Sequence, residues 1–249
     1  MSASLLLERS ERITLLIDSE DRTAGTNEDF TLTLDPVITR VKQVEIVTIE
    51  IPFSFYVITS TNYTLNFEDN VATPLTINIT PGNYSGTSFA TELQTQMNTQ
   101  MAGFTVSYDD SIYKLRFQNA TNFKLILASS TLAPVMGLLA DTALATDTTL
   151  TGIANLSGPN YILIKSEALT RPKKIKPYFG ANQTNVFYKM PIQTGPGTSL
   201  LERNMFSTGI RFPVRQTLRT LDFKLEDPDG VALDLNGVRW SMTLVVDTL

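Results

Sequence analysis

The feature that most limits the fold of this chain is a succession of short segments in which apolar and polar residues alternate. Strict alternation is typical of a β-strand with one buried face. The clearest examples are residues 30–34, 63–67, 75–79 and 104–108. Turn-forming residues, such as Pro81-Gly82-Asn83, stand between these segments. The sequence therefore predicts many short strands joined by turns.

Weaker patterns extend this series and add one helix. Strands are also predicted at residues 12–18, 41–51, 113–117, 123–127, 161–164, 186–188, 218–225 and 238–246. Asp35-Pro36 is expected to break the chain between two strands, residues 140–151 to form a loop, and residues 134–139 a short helical turn. The helix is predicted over 88–103, capped by Ser88 and closed by Gly103. Its apolar stripe, interpreted as lying over a sheet edge or barrel mouth, is Phe89, Leu93, Met97 and Met101.

About a dozen strands, one helix and no strand–helix–strand alternation predict an all-β protein. The expected architecture is a single jelly roll, a Greek-key β-sandwich, with one short helix and long loop insertions. The predicted domains are an N-terminal arm over residues 1–11 and one jelly-roll domain over 12–249. A loop-rich insertion is expected at about 130–215, where proline and glycine are frequent.

The residue types that are missing exclude many kinds of chemistry. Among 249 residues there is no histidine and no cysteine, so imidazole bases, thiol nucleophiles, thiolate metal sites and disulfides are excluded. We therefore expect no enzyme activity, no cofactor and no metal. The net charge of −5 provides no broad basic field, so nucleic-acid contact is not expected. The sequence contains no run of about 18 apolar residues, so no membrane-spanning helix is expected.

Two groups of aspartates are candidate sites. Asp18-Ser19 and Asp141-Thr142 faintly resemble the paired loops of aspartic proteases, but the glycine that normally follows is absent from both. Residues 227–230, Asp-Pro-Asp-Gly, could bind calcium together with Asp234. A tight turn between the last two long strands is the favoured interpretation of that segment, because proline and glycine supply the backbone angles of a turn.

Two segments are candidates for contacts between subunits. Residues 171–176 form the only basic cluster, which could contact phosphate, act as a nuclear localisation signal or face acidic groups of a neighbouring subunit. Three leucines precede the first strand, and we expect this apolar arm to pack on a neighbouring subunit or the interior of an assembly rather than remain exposed. The alternative is that the arm caps its own barrel. The candidate interface residues are Leu5, Leu6, Leu7, Arg171, Lys173, Lys174 and Lys176.

Several segments together resemble the penton and related minor capsid proteins of virophages, polinton-like viruses and large icosahedral DNA viruses. They are residues 17–22 (Ile-Asp-Ser-Glu-Asp-Arg), 30–32, 44–52, 79–85 (which includes Pro-Gly-Asn-Tyr-Ser) and 233–241. The resemblance implies a single jelly roll without catalysis, assembled as a homopentamer at icosahedral vertices. It implies that the partners are other copies, the major capsid protein and other minor capsid proteins. The implied location is the virion, after synthesis in the host cytoplasm or nucleus.

Two other functions are compatible with the composition. A glycan- or receptor-binding jelly-roll module, such as an attachment protein, would have similar strands and loops. A glycosidase that uses only carboxylates is the third possibility. Ring formation by the chain alone would favour the capsid subunit, glycan binding by a monomer would favour the attachment module, and hydrolysis of a glycan would favour the enzyme.

Overall fold

The computed structural model describes residues 11–170, 184–203 and 209–249. The chain forms two compact units, and unit 2 is inserted into unit 1. Unit 1 comprises Met1–Phe55 and Pro159–Leu249, and unit 2 comprises Tyr56–Gly158. Over the described residues the strands form antiparallel sheets, eight strands in unit 1 and five in unit 2, which confirms the predicted all-β class.

The strands of unit 1 are β1 (Glu11–Asp18), β2 (Ala24–Gly25), β3 (Asp29–Pro52), β9 (Tyr161–Lys165), β10 (Val186–Pro191), β11 (Ser199–Arg203), β12 (Ile210–Glu226) and β13 (Ser241–Thr248). Those of unit 2 are β4 (Thr64–Asp69), β5 (Pro74–Asn78), β6 (Thr105–Asp109), β7 (Lys114–Ile126) and β8 (Ala145–Thr149). The helices are α1 (Gly86–Gln100), α2 (Ala133–Met136), α3 (Glu167–Thr170) and a 3₁₀ turn at Ser19–Asp21. Among the described residues, no helix combines the length and apolar character that crossing a bilayer requires.

The pairing of strands in unit 1 is that of a jelly roll. One layer has the order β1, β13, the second half of β3, then β11. The other has the order β2, the first half of β3, β12, β9, then β10. Each of these pairings is antiparallel, and β3 and β12 both run through the two layers, because the start of β12 also pairs with the second half of β3. Eight strands in two such layers are the jelly-roll arrangement, so the predicted fold class is confirmed.

Strand β3 corrects one prediction. Residues 30–34 and 41–51 were expected to be separate strands divided at Asp35-Pro36, but they lie in one strand of 24 residues. The register of β12 against β3 shifts several times between Arg211 and Thr220, opposite this part of β3, and Arg40 has a positive φ of 60°. Such irregularities bend a strand and accommodate proline, which lets β3 pass from one layer to the other without ending.

The core of unit 1 lies between its two layers. Alternate residues of β3 and β13 face inward and are buried, for example Ile49 and Leu244. Aromatic rings from three places meet in the core: Trp240 lies 5.8 Å from Phe30 and 6.3 Å from Phe223, measured between ring centroids. Contacts between β3, β12 and the segment before β13 therefore stabilise both layers together.

Unit 2 packs helix α1 against its five-stranded sheet. The helix contacts β5 and β6, the outer strands of the sheet order β5-β4-β7-β6, and buries Phe89, Leu93 and Met97. The predicted stripe is thus confirmed, but the predicted cap is wrong. Ser85 is the N-cap, and Ser88 is the third helical residue, whose side chain accepts the N–H of Ser85. This reciprocal pair is a capping box, which places the N-cap three residues earlier than predicted.

One further difference concerns residues 140–151. This predicted loop contains β8, which pairs with β7, whereas the helical turn predicted at 134–139 is present as α2. The predicted boundaries, an arm over 1–11, one domain over 12–249 and an insertion at about 130–215, stay a prediction. In the structure, the compact insertion is Tyr56–Gly158, and the chain after it supplies β9, β10, β11, β12 and β13 of the jelly roll.

Candidate assembly site

Two of the family-like segments meet at one end of the jelly roll, although more than 200 residues separate them. Ser19 is fully buried, and its N–H donates to the carbonyl of Trp240 at 3.0 Å. The N–H of Trp240 donates in return to Ser19 Oγ at 3.1 Å. These two bonds continue the pairing of β1 with β13 beyond the strands themselves. We call the region formed by residues 18–28, 53–55 and 233–240 the loop corner.

Side chains in the loop corner hold the turns that follow β1. Arg22 Nη1 donates to the carbonyl of Ser19 at 2.9 Å and to Asn27 Oδ1 at 2.8 Å. Asn27 in turn donates through Nδ2 to the carbonyl of Gly237 and accepts Trp240 Nε1–H at its own carbonyl, 2.6 Å away. Because Arg22 and Asn27 join backbone groups from both segments, hydrogen bonds hold the loop corner together as one ordered structure rather than two independent loops.

The segment after β3 completes the loop corner. Ser54 Oγ donates to the carbonyl of Leu235 at 2.7 Å, and Asn236 Nδ2 donates to the carbonyl of Ser54. Glu28 Oε1 accepts the N–H of Leu235 at 2.9 Å. Asn236 has a positive φ of 53°, a left-handed conformation that asparagine tolerates better than most residues. The turn at Asn236-Gly237 is therefore anchored on both sides.

Charges on the surface of the loop corner form exposed pairs. Arg239 Nη1 lies 3.0 Å from Glu20 Oε2 and 3.9 Å from Asp18 Oδ2. The side chains of Arg239 and Glu20 are 62% and 61% exposed, so the pair contributes no more than about 1 kcal/mol. Asp18 Oδ1 also accepts the N–H of Glu20 at 2.9 Å, which caps the 3₁₀ turn.

A buried charge cluster lies where β9 and β12 pair. Glu226 is 5% exposed and contacts the ammonium groups of both Lys165 and Lys224, the latter at 3.0 Å. Burial alone would raise the pKa of Glu226, but its hydrogen bonds and charge contacts with the two lysines outweigh burial and lower it. The hydrogen bond to Glu226 correspondingly raises the pKa of Lys224. Lys165 and Lys224 are register partners, so Glu226 neutralises two like charges that lie opposite each other.

The family-like segment at 81–85 has a structural role within unit 2. Asn83 Oδ1 accepts the N–H of Val57 at 2.8 Å, and Gly82 pairs with Ile58 through two backbone hydrogen bonds. Tyr84 donates its hydroxyl proton to the carbonyl of Thr80, and burial together with the nearby charge of Glu92 raises the pKa of Tyr84. Ser85 is the N-cap of α1. Residues 82–84 therefore stabilise the turn before the helix, and residue 85 stabilises its first turn.

The outer face of one jelly-roll layer carries exposed apolar side chains. Leu16 on β1 is 75% exposed, Leu201 on β11 is 49% exposed and Val47 on β3 is 39% exposed. Leu16 lies opposite Thr243, which lies opposite Thr48, so one row of side chains crosses three strands. Successive side chains of a strand point to opposite faces of the sheet, so Leu15 and Leu16 cannot both face the core. This pair of leucines is the sequence signal that could have revealed the exposed apolar face.

The interface residues predicted from the sequence lie outside the described residues. These are Leu5, Leu6, Leu7, Arg171, Lys173, Lys174 and Lys176. They stay predictions, and the structure adds only where their segments attach. Residues 1–10 lead directly into β1, and residues 171–183 connect α3 with the part of the chain that enters β10.

The candidate aspartates each hold a local turn or strand end. Asp141 accepts the N–H of Leu127 at 2.8 Å, and Asp227 accepts the N–H groups of Asp229 and Val231 in the predicted turn. Asp234 accepts the N–H of Asn236 at 2.7 Å. Across the described residues, no group of three or more acidic side chains is placed to hold a metal ion.

Comparison with known proteins finds similarity among solved structures. No protein-family model matches the chain, and no curated protein matches it. Among solved structures, the chain is similar to the crystal structure of selenomethionine-labelled mavirus penton protein, with 12% sequence identity and a TM-score of 0.41. The match covers 96% of this chain and 92% of that chain. Strand pairing, not this likeness, establishes the jelly roll.

Proposed function

We propose that this chain is a structural virion protein, a penton-type capsid subunit that assembles as a homopentamer at icosahedral vertices. The observation that carries the proposal is that family-like sequence segments lie together in the fold and are joined by hydrogen bonds. Two of them form the loop corner of a single jelly roll, a fold that viral capsid proteins use. The proposal assigns the chain no catalytic centre, cofactor or metal.

The fold provides the two different sides that a subunit of a ring needs. A five-fold ring is a closed heterologous assembly, in which one side of each subunit meets a different side of the next. A jelly roll has two such sides, because each of its layers has a different edge strand on either side. Fold alone does not identify function, since lectins and cupins also use jelly rolls. Cupin metal sites usually need histidine, which this chain lacks.

The proposed partners follow from the vertex position. Neighbouring copies would form the ring, and the major capsid protein and other minor capsid proteins would surround it. Residues 171–176 would face carboxylates of a neighbouring copy and steer assembly more than stabilise it, because exposed ion pairs contribute only about 0–1 kcal/mol. Nucleic acid is not a proposed partner, given the net charge of −5.

Light scattering on the purified chain tests the proposal directly. We expect a particle of about five times the chain mass of 27.6 kDa, and images of that particle with five-fold symmetry. A trimer would contradict the penton assignment and leave the jelly roll unaffected. A monomer that never joins a shell and binds glycans would replace the proposal with an attachment function.

Deleting residues 2–8 tests the predicted role of the arm. We expect the shortened chain to fold, because the described jelly roll begins at Glu11, but to assemble more weakly than the full chain. The measurement is the concentration at which half of the chain is assembled, with circular dichroism as the control for folding. Unchanged assembly would contradict the idea that the three leucines contact a neighbour.

A further inference from the structure

An asparagine followed by a glycine occurs once in this chain, at Asn236-Gly237 in the loop corner. Such a pair is chemically labile, because glycine has no side chain to keep its backbone nitrogen away from the side-chain carbonyl carbon of the asparagine. Both residues are exposed. A Cβ added at Gly237 would meet no heavy atom within 4 Å, so solvent has free access to the backbone at this point.

The backbone nitrogen of Gly237 is not held by a hydrogen bond. Its N–H has no partner among the residues that the structure describes. Asn236, before it, donates its N–H to Asp234 Oδ1 at 2.7 Å. Val238, after it, donates its N–H to the carbonyl of Leu235 at 3.1 Å. Unlike both neighbours, Gly237 therefore presents a backbone nitrogen for which no hydrogen bond competes.

The reaction open to this pair is deamidation, and it balances with water as the other reactant. Hydroxide removes the proton of the Gly237 N–H, the nitrogen bonds to Cγ of Asn236, and the side-chain amide leaves as ammonia, which takes its proton from water. The resulting cyclic imide adds water at either of its two carbonyl carbons. One opening gives aspartate, and the other gives isoaspartate, in which the main chain runs through Cβ and Cγ. Nothing is oxidised or reduced, and a carboxylate replaces a neutral amide.

Two hydrogen bonds of the loop corner restrain this reaction in the folded chain. Asn236 Nδ2 donates to the carbonyl of Ser54 at 2.6 Å, and Asn27 Nδ2 donates to the carbonyl of Gly237 at 2.9 Å. The first bond has to break when the side chain turns toward its own backbone to form the ring. The second holds the peptide that follows the attacking nitrogen. The rate of deamidation therefore depends on how often the loop corner opens.

We propose that Asn236-Gly237 is a site of spontaneous deamidation whose rate is set by the opening of the loop corner. The inference does not depend on the proposed capsid role. A modified chain carries a second carboxylate next to that of Asp234 and lacks the donor to the carbonyl of Ser54. In the isoaspartate form, the extra main-chain carbon also displaces the carbonyl that accepts Asn27 Nδ2. Deamidation thus loosens the loop corner further.

Peptide mapping by mass spectrometry, after incubation of the purified chain at mildly alkaline pH, measures the rate at each asparagine. We expect Asn236 to deamidate faster than every other asparagine. Gly237→Ala should slow the reaction at least about tenfold, which corresponds to about 1.4 kcal/mol in the barrier, because the methyl group hinders the nitrogen. Gly237 has a positive φ of 77°, so alanine also strains and loosens the turn. Loosening alone would speed the reaction, so a slower rate cannot be a folding effect.

Asn27→Ala tests the restraint by the loop corner. It removes the bond to the carbonyl of Gly237 and one acceptor of Arg22, while the reacting pair stays unchanged. We expect deamidation at Asn236 to become about three- to tenfold faster, the factor that corresponds to the ordinary contribution of one hydrogen bond. The matched control is Asn70→Ala, an exposed position in unit 2, which should leave the rate unchanged.

The same measurement in denaturant gives the rate of Asn236 without any restraint, and we expect it to exceed the rate in the folded chain. An Asn236 that stays intact in the folded chain while other asparagines deamidate would overturn the proposal. Equal rates in wild type, Asn27→Ala and denaturant would overturn the role of the loop corner. A faster reaction in Asn70→Ala, equal to that in Asn27→Ala, would do the same.

Discussion

Replacing Trp240 by alanine is expected to lower the free energy of unfolding of unit 1 by about 3–5 kcal/mol, the usual cost of removing a buried tryptophan side chain. Trp240 is 2% exposed and packs against Phe30 and Phe223. The carbonyl of Asn27 also loses the indole N–H that it accepts at 2.6 Å. Because the same residue connects the core with the loop corner, the loss should affect both.

Comparison of two variants separates the packing of Trp240 from its hydrogen bond. Trp240→Phe keeps an aromatic ring and removes the N–H, so we expect a smaller loss of about 1–2 kcal/mol. The measurement is denaturant unfolding followed by circular dichroism, with Tyr113→Ala as the control, since Tyr113 is 58% exposed. Equal losses for Trp240→Ala and Trp240→Phe would show that the hydrogen bond, not the ring, is the important contact.

Replacing Glu226 by glutamine is expected to destabilise unit 1 by about 2–3 kcal/mol at pH 7. The change leaves Lys165 and Lys224 as like charges in register without the carboxylate between them. Removing one partner of a fully buried ion pair costs about 3–5 kcal/mol, and the lower figure here reflects the 40% exposure of the Lys224 side chain. Trp240 is the one tryptophan of the chain, so its fluorescence reports the unfolding of unit 1.

The pH dependence of the same variant has a definite sign. Because the folded state lowers the pKa of Glu226 below its ordinary value of 4.5, the ionised carboxylate stabilises the fold above that pH. The stabilisation is lost as the pH falls through the folded-state pKa. We therefore expect the difference between wild type and Glu226→Gln to be constant from pH 6 to 8 and to shrink below about pH 4.5. A difference that grows in acid would contradict this assignment. Asp234→Asn, at an exposed turn, is the control.

The parts of the fold that could be predicted are those determined by local alternation. The strand at 12–18, the strands at 104–108 and 113–117 and the stripe on α1 all follow from short-range patterns, and the structure confirms them. The continuity of β3 could not be predicted, because proline normally ends a strand unless a distant partner supplies irregular pairing. Nor did alternation reveal unit 2, since strands of both units have the same pattern and differ only in their partners.

Local sequence patterns were equally limited in predicting the candidate site. The segments at 17–22 and 233–241 were recognisable as motifs, yet their contact through Ser19 and Trp240 depends on the pairing of the first strand with the last. The loop corner also uses Asn27 and Ser54, which no local pattern distinguishes from ordinary turn residues. The exposed leucine of β1 had a local signal, but only the sheet order shows that this strand lies at an edge.

The pairing of β1 with β13 also governs the order in which the chain can fold on the ribosome. Residues 11–18 emerge more than 220 residues before their partner, a delay of roughly 10–50 s at ordinary rates of translation. Unit 2 is continuous in sequence and can fold during that time, whereas the jelly roll waits for its final strand. A chain released before residue 241 therefore cannot form the β1–β13 pair. Translation products that stop early would leave β1 without its partner and β3 without one of its neighbours.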